Sequence, residues 1–503
     1  WLKLSLPPRT RHPALPRMTA VPRDLRMLST SLKSELQDVK LSVKGEVPSW
    51  VDGSLYRNGP ALFEIGEDQF QHWFDGQAML HRFHLQGGCV TYTNKFLQSH
   101  NYKAHMAAGR IAVDEFGTVA PSSIFSRLSA MWSAPSPYEN NNVSVKVMSG
   151  KVVALSETPK VLEVDPALGP VGPVVWNDKL SSAPLSTAHP HTLEDGRFLN
   201  YETVLGKDCF YRLYTTPAAA AGVGAPVERT EVARIPSARP AYMHSFGLSP
   251  SYYILVEFPW LFQLSKFVGG QASKTLFGSA PETVIDGMYS WEPERGTWFT
   301  LCHRESGALR RVRLPEGIFA YHHVNAFEDE QGRVSVDMMC YPDPRYNALT
   351  LEKVRSTFFT QLPEFQGGQL RRYIVDLDKE TIETKILFDG VCELPTIDYA
   401  RRNTKPYQFV YGLGYDGQAL RVDLHTGETK EWRHSGSWCG EPIFVPRPEG
   451  EKEDDGVVLT VVSDPSTGRS SLAVLDAATM EQVAVAETPH HIPMGLHGTF
   501  ARL

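Results

Sequence analysis

Short apolar runs separated by polar turns dominate the chain from about Val47 onward. Runs of this kind, bounded by Gly, Pro, Asn and Asp and rich in β-branched and aromatic residues, are typical of β-strands. Examples are YYILVEF at 252–258, VSVDMMCY at 334–341 and VVLTVV at 457–462. The pattern predicts an all-β architecture.

One short phrase recurs along the chain: an apolar strand ends in Asp, a polar turn follows, and a second strand begins. It is found as VLEVDPALG from Val161, YIVDLDKETIETKIL from Tyr373, LRVDLHTGETKEW from Leu420 and LAVLDAATMEQVAVA from Leu472. Asp, Thr and Gly favour tight turns, so each phrase predicts a hairpin. The last three recur at roughly the length of one propeller blade. A β-propeller is predicted, and a sandwich built from hairpins is the alternative.

Composition narrows the classes of function. Hydrophobic residues make up 42% of the 503 residues and charged residues 21%, which is enough to form a large core. A net charge of -7 gives no broad positive field, so nucleic acid is not expected as a partner. The six cysteines form no CxxC pair, which argues against a zinc-thiolate site and a disulfide framework and favours a reducing, cytoplasmic compartment.

The N-terminal segment, residues 1–30, differs from the rest of the chain. Its first 23 residues contain five basic residues and no acidic one. Two interpretations remain open: a transit peptide, which would make the location mitochondrial, or residues that precede a start at Met18. We therefore predict a basic segment at 1–30, a transit peptide or disordered, and a single propeller domain at 31–503.

Two segments break the strand pattern. PSSIFSRLSAMW at 121–132 spaces its apolar residues along one side of a helix, and FPWLFQLSKF at 258–267 is dense in aromatic residues. Each segment could dip into a membrane surface or belong to the core. Because the chain contains no apolar run of 18 residues, any membrane contact is expected to be peripheral.

The candidate chemistry lies among 17 histidines, since no nucleophile elbow, P-loop, HExxH or dinucleotide motif is present. Four of them are flanked by apolar or small residues: His189, His244, His322 and His497. A lone histidine in such a setting is more often a core residue than a ligand. These four are far apart in sequence, so only a fold that gathers distant strand ends, such as a propeller, could bring them together. Four neutral imidazoles would suit iron, copper or zinc, and their spacing does not choose among these metals.

Eight motifs occur in a fixed order. They are RNGP at 57–60, HWFDGQAMLH at 72–81, AHPH at 188–191, MHSFGLSP at 243–250, YHHVNAFED at 321–329, GEPIFVPRP at 440–448, EDDGVVLTVV at 453–462 and LHGTF at 496–500. On these motifs the chain resembles the carotenoid cleavage oxygenase family, in its animal-type branch, from about Val47 to the C-terminus.

The resemblance implies a seven-bladed β-propeller, with loops and short helices forming a cap over an axis that carries one Fe(II). The metal ligands it implies are His189, His244, His322 and His497, while the neighbouring His191 and His323 are assigned structural roles. It also places three glutamates behind the ligands: Glu157, Glu393 and Glu441. A carboxylate that accepts the distal ring N–H fixes the tautomer of a metal-bound imidazole and raises its basicity.

The implied activity is cleavage of one double bond of a carotenoid or apocarotenoid by O2, which gives aldehyde or ketone products such as retinal. Phe246, Phe258 and Trp260 either line the substrate route or belong to the core. Two alternative functions stay open: a retinyl-ester isomerohydrolase and a carotenoid-binding scaffold without turnover. The cysteine motif common before the amphipathic segment in animal members is replaced by VAPSSIFSR at 119–127, so membrane contact would depend on apolar residues alone. The sequence does not predict which bond is cleaved.

Overall fold

A computed structural model describes residues 25–120, 139–181, 183–269, 283, 285–344, 349–356, 368–434 and 436–502. Within these residues the backbone forms seven antiparallel sheets of four to six strands, arranged as the blades of a β-propeller. The predicted fold class is therefore confirmed, and the alternative of a sandwich is wrong. The strands of each blade are given below from the propeller axis outward.

The first four blades use strands within residues 36–314 and the last strand of the chain. Blade 1 contains Gly498–Ala501, Gly53–Leu62, Gln77–Gln86, Cys89–Phe96 and Leu36–Lys40. Blade 2 contains Ser144–Met148, Lys151–Leu155, Leu162–Val164 and Pro170–Pro173. Blade 3 contains Leu185–Ser186 and His191–Thr192 side by side with Phe198–Val204, then Phe210–Thr216 and Thr230–Pro236. Blade 4 contains Gly247–Leu248, Tyr252–Glu257, Thr297–His303 and Leu309–Leu314.

The remaining three blades follow in order along the chain. Blade 5 contains Phe319–Glu328, Val334–Tyr341, Gln369–Asp376 and Thr381–Phe388. Blade 6 contains Glu393–Thr396, Phe409–Leu413, Ala419–Asp423 and Thr429–Trp432. Blade 7 contains Trp438–Cys439 and Ile443–Pro446, then Gly456–Asp464, Arg469–Asp476, Gln482–Glu487 and Ser42–Gly45.

Short elements lie between the blades. Two small hairpins pair Glu64–Ile65 with Asp68–Gln69 and Trp260–Phe262 with Tyr289–Trp291. Within the described residues the α-helices are His100–Ala108, Leu351–Ser356 and Tyr399–Arg402, and residues 264–269 are also helical. The 3-10 helices are Leu25–Ser29, Trp73–Asp75 and Pro293–Arg295. Trp73–Asp75 and the start of the 349–356 segment cover the axis on the side of the cavity described below.

Both ends of the chain close the ring. The C-terminal strand Gly498–Ala501 pairs with Gly53–Leu62 as the innermost strand of blade 1, and Ser42–Gly45 pairs with Gln482–Glu487 as the outermost strand of blade 7. Closure of this kind fixes the first and last blades to each other and leaves no open end in the ring.

The four recurring phrases all form hairpins, as predicted, and each hairpin joins the third and fourth strands of a blade or their equivalents. The turn is built the same way in each case, because the Asp carboxylate accepts backbone N–H groups two to four residues ahead. Asp376 accepts from Asp378 and Lys379 at 3.2 and 3.0 Å, and Asp476 accepts from Ala478 and Thr479 at 3.1 and 2.8 Å. The aspartate is thus the local cause of the repeat.

The core lies between neighbouring blades. Strands such as Val334–Tyr341 and Gly53–Leu62 are buried on both faces because a blade covers each side. Part of the predicted N-terminal segment also packs onto the propeller, since Leu25 and Leu28 of the 3-10 helix Leu25–Ser29 are buried. Residues 1–24 lie outside the described residues, and the boundary at residue 30 stays a prediction.

The structure describes only the second of the two candidate membrane segments. Residues 121–132 lie outside the described residues. In the second segment Phe258, Trp260 and Leu261 are buried in the core, whereas Leu264 and the following Val268 are 65% and 58% exposed. The interpretation as core therefore holds for residues 258–261, and Phe262 and Phe267 pack against the same core. Among the described residues, no helix is long and apolar enough to cross a bilayer.

Candidate metal centre

The propeller brings the four predicted histidines together on its axis. His189 lies between the two innermost strands of blade 3, and His244 lies three residues before the innermost strand of blade 4. His497 directly precedes the innermost strand of blade 1, and His322 lies near the start of Phe319–Glu328 in blade 5. One ring nitrogen from each histidine lies within 4.8 Å of those of the other three. The innermost strands of a propeller converge on one axis, which explains how residues so distant in sequence can meet.

The histidines present their Nε2 atoms to one another. The Nε2 atoms of His189 and His244 are 2.8 Å apart, and those of His322 and His497 are 3.2 Å apart. The four side chains are buried or nearly so. Such close approach of ring nitrogens needs either a shared proton or a shared cation.

Three of the four Nδ1 atoms are bonded to the predicted glutamates. His244 bonds Glu157 at 2.5 Å, His322 bonds Glu393 at 2.6 Å, and His497 bonds Glu441 at 2.8 Å. A carboxylate can only accept, so each of these histidines donates its Nδ1 proton outward, and its Nε2 lone pair points at the centre. Among the described residues, no carboxylate bonds His189.

The glutamates are held in turn by three further side chains. Tyr242 donates its hydroxyl to Glu157 at 2.5 Å, and Tyr341 donates to Glu393 at 2.6 Å. Arg57 forms a buried ion pair with Glu441. The sequence analysis did not assign roles to these three residues. Two of them could have been found from the sequence, because Arg57 is the first residue of the RNGP motif and Tyr242 lies two residues before His244. No feature of the sequence distinguishes Tyr341.

Burial and neighbouring charges lower the pKa of two of the four histidines. Burial lowers the pKa of His189 well below its usual range, and the adjacent histidines lower it further. Burial likewise lowers the pKa of His497 to about 4, although Glu441 opposes the change. Burial alone would raise the pKa of Glu441, but Arg57 and His497 outweigh it and lower the pKa to about 2.

This donor set fits a divalent transition metal. The Nδ1 atoms of His244, His322 and His497 each donate to a carboxylate, so their Nε2 atoms converge on the axis as lone pairs, which repel one another unless a cation lies between them. Four neutral imidazoles suit iron, copper or zinc. The four histidines could therefore hold a metal, with the three carboxylates balancing part of its charge.

A cavity of about 220 Å³ opens directly onto the centre. His244, His322, His497, Glu157 and Glu393 lie in its wall. The rest of the lining is mainly apolar and aromatic and includes Trp73, Phe74, Phe116, Leu394, Leu413 and Trp438. A cavity with such a wall suits a long apolar ligand better than a polar ligand.

Other predicted residues have structural positions. His191 bonds Tyr399 and the carbonyl of Phe246, and His323 bonds Ser245, so both lie outside the cluster. Burial lowers the pKa of His191 to about 4 and that of His323 to about 3. Phe246, Phe258 and Trp260 belong to the core between blades 3 and 5 and are absent from the described cavity wall, so the interpretation as core is the correct one.

The fold and the site together define a seven-bladed propeller with a four-histidine centre facing an apolar cavity. The family described as retinal pigment epithelial membrane protein matches residues 29–502. The chain belongs to this family, the carotenoid oxygenases, which confirms the predicted family and the prediction of an enzyme.

Individual relatives agree with this assignment. The chain is 32% identical to the mitochondrial carotenoid-cleaving dioxygenase of Pongo abelii, over 94% of each chain. It is also 32% identical to the carotenoid isomerooxygenase of Galleria mellonella, over 91% of this chain and 93% of that one. Among solved structures, cobalt-substituted apocarotenoid oxygenase of Synechocystis superposes with a TM-score of 0.82 at 26% identity, covering 95% of this chain and 98% of that one.

Proposed function

We propose that this chain is an Fe(II)-dependent dioxygenase that cleaves one double bond of a carotenoid or apocarotenoid with O2 and releases two carbonyl products. The observation that carries the proposal is the convergence of four imidazoles at the wall of an apolar cavity. Relatives named as a carotenoid-cleaving dioxygenase and a carotenoid isomerooxygenase support cleavage as the reaction.

The proposed ligands of the iron are His189, His244, His322 and His497. Iron held there would supply the activation of O2, which no protein side chain can provide. The solved relative that carries cobalt supports a divalent transition metal at the equivalent centre. All four protein ligands are neutral, so the charge of the metal would be balanced only from outside the ring of imidazoles.

The chain itself would hold and orient the substrate. Phe74, Phe116 and Trp438 give the cavity flat aromatic walls that suit a conjugated chain, and the scarcity of polar groups keeps water out. Glu157 and Glu393 lie in the same wall, but each already accepts hydrogen bonds from a histidine and a tyrosine. Which double bond reaches the centre would depend on how far the polyene enters.

Location and membrane contact are further parts of the proposal. The basic residues of the segment 1–30 and the mitochondrial relative from Pongo abelii favour mitochondria over the cytoplasm. The exposed Leu264 and Val268 on the helical residues 264–269 favour peripheral contact with the membrane in which carotenoids dissolve. Fusing residues 1–30 to a fluorescent protein tests the location, since a cytoplasmic signal would contradict the mitochondrial assignment.

Incubation with β-carotene tests the activity. Purified, iron-loaded protein is given β-carotene in detergent micelles under ¹⁸O2, and products are identified by chromatography and mass spectrometry. We expect labelled aldehydes or ketones, whose lengths identify the cleaved bond, and none from a His322→Ala variant. If iron is bound and the fold retained but neither carotenoids nor apocarotenals yield labelled products, the proposal is wrong, and a retinyl ester is the next substrate to try.

A further inference from the structure

The three carboxylates behind the histidines are not equivalent. Each uses one oxygen to accept the Nδ1–H of its histidine, but the remaining interactions differ from one glutamate to the next. Because a carboxylate polarises an imidazole in proportion to its own free charge, these interactions determine how strongly each histidine can donate to a metal.

Glu157 and Glu393 are held by phenols. Tyr242 donates to the same oxygen of Glu157 that bonds His244, and Tyr341 donates to the oxygen of Glu393 that is not bonded to His322. Burial raises the pKa of Tyr341 well above its usual range, so its hydroxyl remains a neutral donor. A neutral donor weakens a carboxylate only slightly, so neither phenol offsets the charge of its glutamate.

Glu441 is held by a cation instead. Arg57 donates Nη1 to one oxygen of Glu441, which also accepts the backbone N–H of Gly498 at 2.8 Å, while the other oxygen bonds His497. The Arg57 and Glu441 side chains are only 4% and 5% exposed, so water screens the ion pair poorly. Arg57 also donates Nη2 to the carbonyl of Leu496 at 2.9 Å, which fixes the backbone next to His497.

We propose that Tyr242, Tyr341 and Arg57 are positioning residues that grade the donor strength of the histidines, by leaving Glu157 and Glu393 charged and neutralising Glu441. His244 and His322 are then the strong donors, and His497 is weaker. His189, which bonds no carboxylate among the described residues, is the weakest. The inference depends on the proposed metal centre but not on the proposed reaction. It assigns a role to the arginine of the RNGP motif, which lies outside the ring of ligands.

The test uses Co²⁺ as a probe, because cobalt spreads the proton signals of its histidine ligands in NMR spectra and does not require O2 chemistry. The exchangeable Nδ1–H signals are assigned from Glu157→Gln, Glu393→Gln and Glu441→Gln variants. Removing one phenol makes its carboxylate a stronger acceptor. We therefore expect Tyr341→Phe to move the His322 signal downfield and Tyr242→Phe to move the His244 signal downfield.

A matched control removes a hydroxyl that touches no glutamate of the centre. Tyr373 lies in the same blade as Tyr341, and its hydroxyl contacts Cys340 at 3.6 Å. Tyr373→Phe should leave all the histidine signals in place. Each phenylalanine variant is also expected to bind Co²⁺ within about tenfold of the parent, since a single hydrogen bond to a charged group is lost.

Arg57 is tested by a pair of variants that separate charge from packing. Arg57→Lys keeps the positive charge, and Arg57→Gln removes it while keeping a hydrogen-bond donor. We expect Arg57→Gln to move the His497 signal downfield and Arg57→Lys to move it much less. A purely structural role would perturb both variants alike and would broaden the signals of several histidines.

The outcomes separate the two proposals. If the parent protein binds no Co²⁺ at the histidines, both the metal centre and this inference are wrong. If Co²⁺ binds but the tyrosine variants shift no signal, or shift all the signals equally, the grading of the ligands is wrong and the metal centre stands. Shifts confined to the histidine behind each variant would establish the grading.

Discussion

The two sides of the histidine cluster differ in polarity. Behind it lie Glu157, Glu393 and Glu441 with their tyrosine and arginine partners, a polar network in which each carboxylate has more than one donor. In front lies a cavity whose wall is largely apolar, although Glu157 and Glu393 also reach it. Metal ligands must be held by fixed, directional hydrogen bonds, whereas a polyene can be recognised only by its shape and its apolar contact area. The difference indicates that one side determines the metal and the other the substrate, and that substitutions can separate them.

The largest effect is expected from removing a ligand. His322→Ala deletes one of four converging nitrogens and leaves Glu393 with the Tyr341 hydroxyl but no imidazole partner, so we expect loss of bound iron and of detectable cleavage. His323→Ala, at the next position but bonded to Ser245 outside the cluster, should keep iron. Metal analysis of the two purified proteins checks this, and equal iron content would contradict the assignment.

Weakening the polar side should have a smaller effect. Glu393→Gln keeps the size of the side chain but removes the negative charge that His322 faces, and metal affinity should fall by about 10- to 100-fold. The exposed Glu316 of the same region, which pairs with Arg371, provides the control Glu316→Gln. Competition with a chelator measures both affinities. Unchanged affinity in Glu393→Gln would mean that the carboxylate does not act on the metal.

Changing the apolar side should leave the metal in place. Val391 lies in the cavity wall, and Val391→Trp places a large ring in a space of about 220 Å³. We expect kcat/KM for a long polyene to fall by roughly 10- to 100-fold because the reacting bond is displaced, with iron content unchanged. Val391→Ala is the matched control. Loss of iron in the tryptophan variant would show that the two sides are not separable.

The smallest effect is expected from pH. An ordinary imidazole, with a pKa near 6.5, binds protons in competition with a metal as the pH falls below about 7. The pKa of His497 is lowered to about 4, so its Nε2 stays free of a proton down to that range. We expect protonation of His497 to cause no loss of Co²⁺ affinity between about pH 8 and 6 and a loss as the pH approaches 4, measured by Co²⁺ titration at each pH. Protonation of the His497 ring near pH 6.5, followed by NMR, would contradict the lowered pKa.

The sequence predicted the repeated parts of the molecule best. The four Asp-ended phrases became hairpins because the aspartate builds its own turn, which is a local effect. The number of blades and the meeting of His189 with His497 required the resemblance, since pairing across the ring depends on contacts between residues distant in sequence. Phe246, Phe258 and Trp260 could not be placed from the sequence, because aromatic residues suit a core and a cavity wall equally well.

The residues that bond the glutamates could not be paired with them from the sequence for the same reason. Tyr341 lies at the end of the strand Val334–Tyr341 with no local motif, and its bond to Glu393 depends on the packing of blade 5 against blade 6. Arg57 stood in a quoted motif, but its partner Glu441 lies in blade 7, across the closure of the ring. Partnerships between blades are set by the fold, and a single sequence does not display them.

The most direct test of the central claim is an anomalous-difference map, recorded at the iron absorption edge, from crystals of the iron-loaded protein. We predict one strong peak between the Nε2 atoms of His189, His244, His322 and His497, at the wall of the cavity. Iron bound elsewhere in a catalytically active protein, or no iron peak among these histidines, would contradict the account.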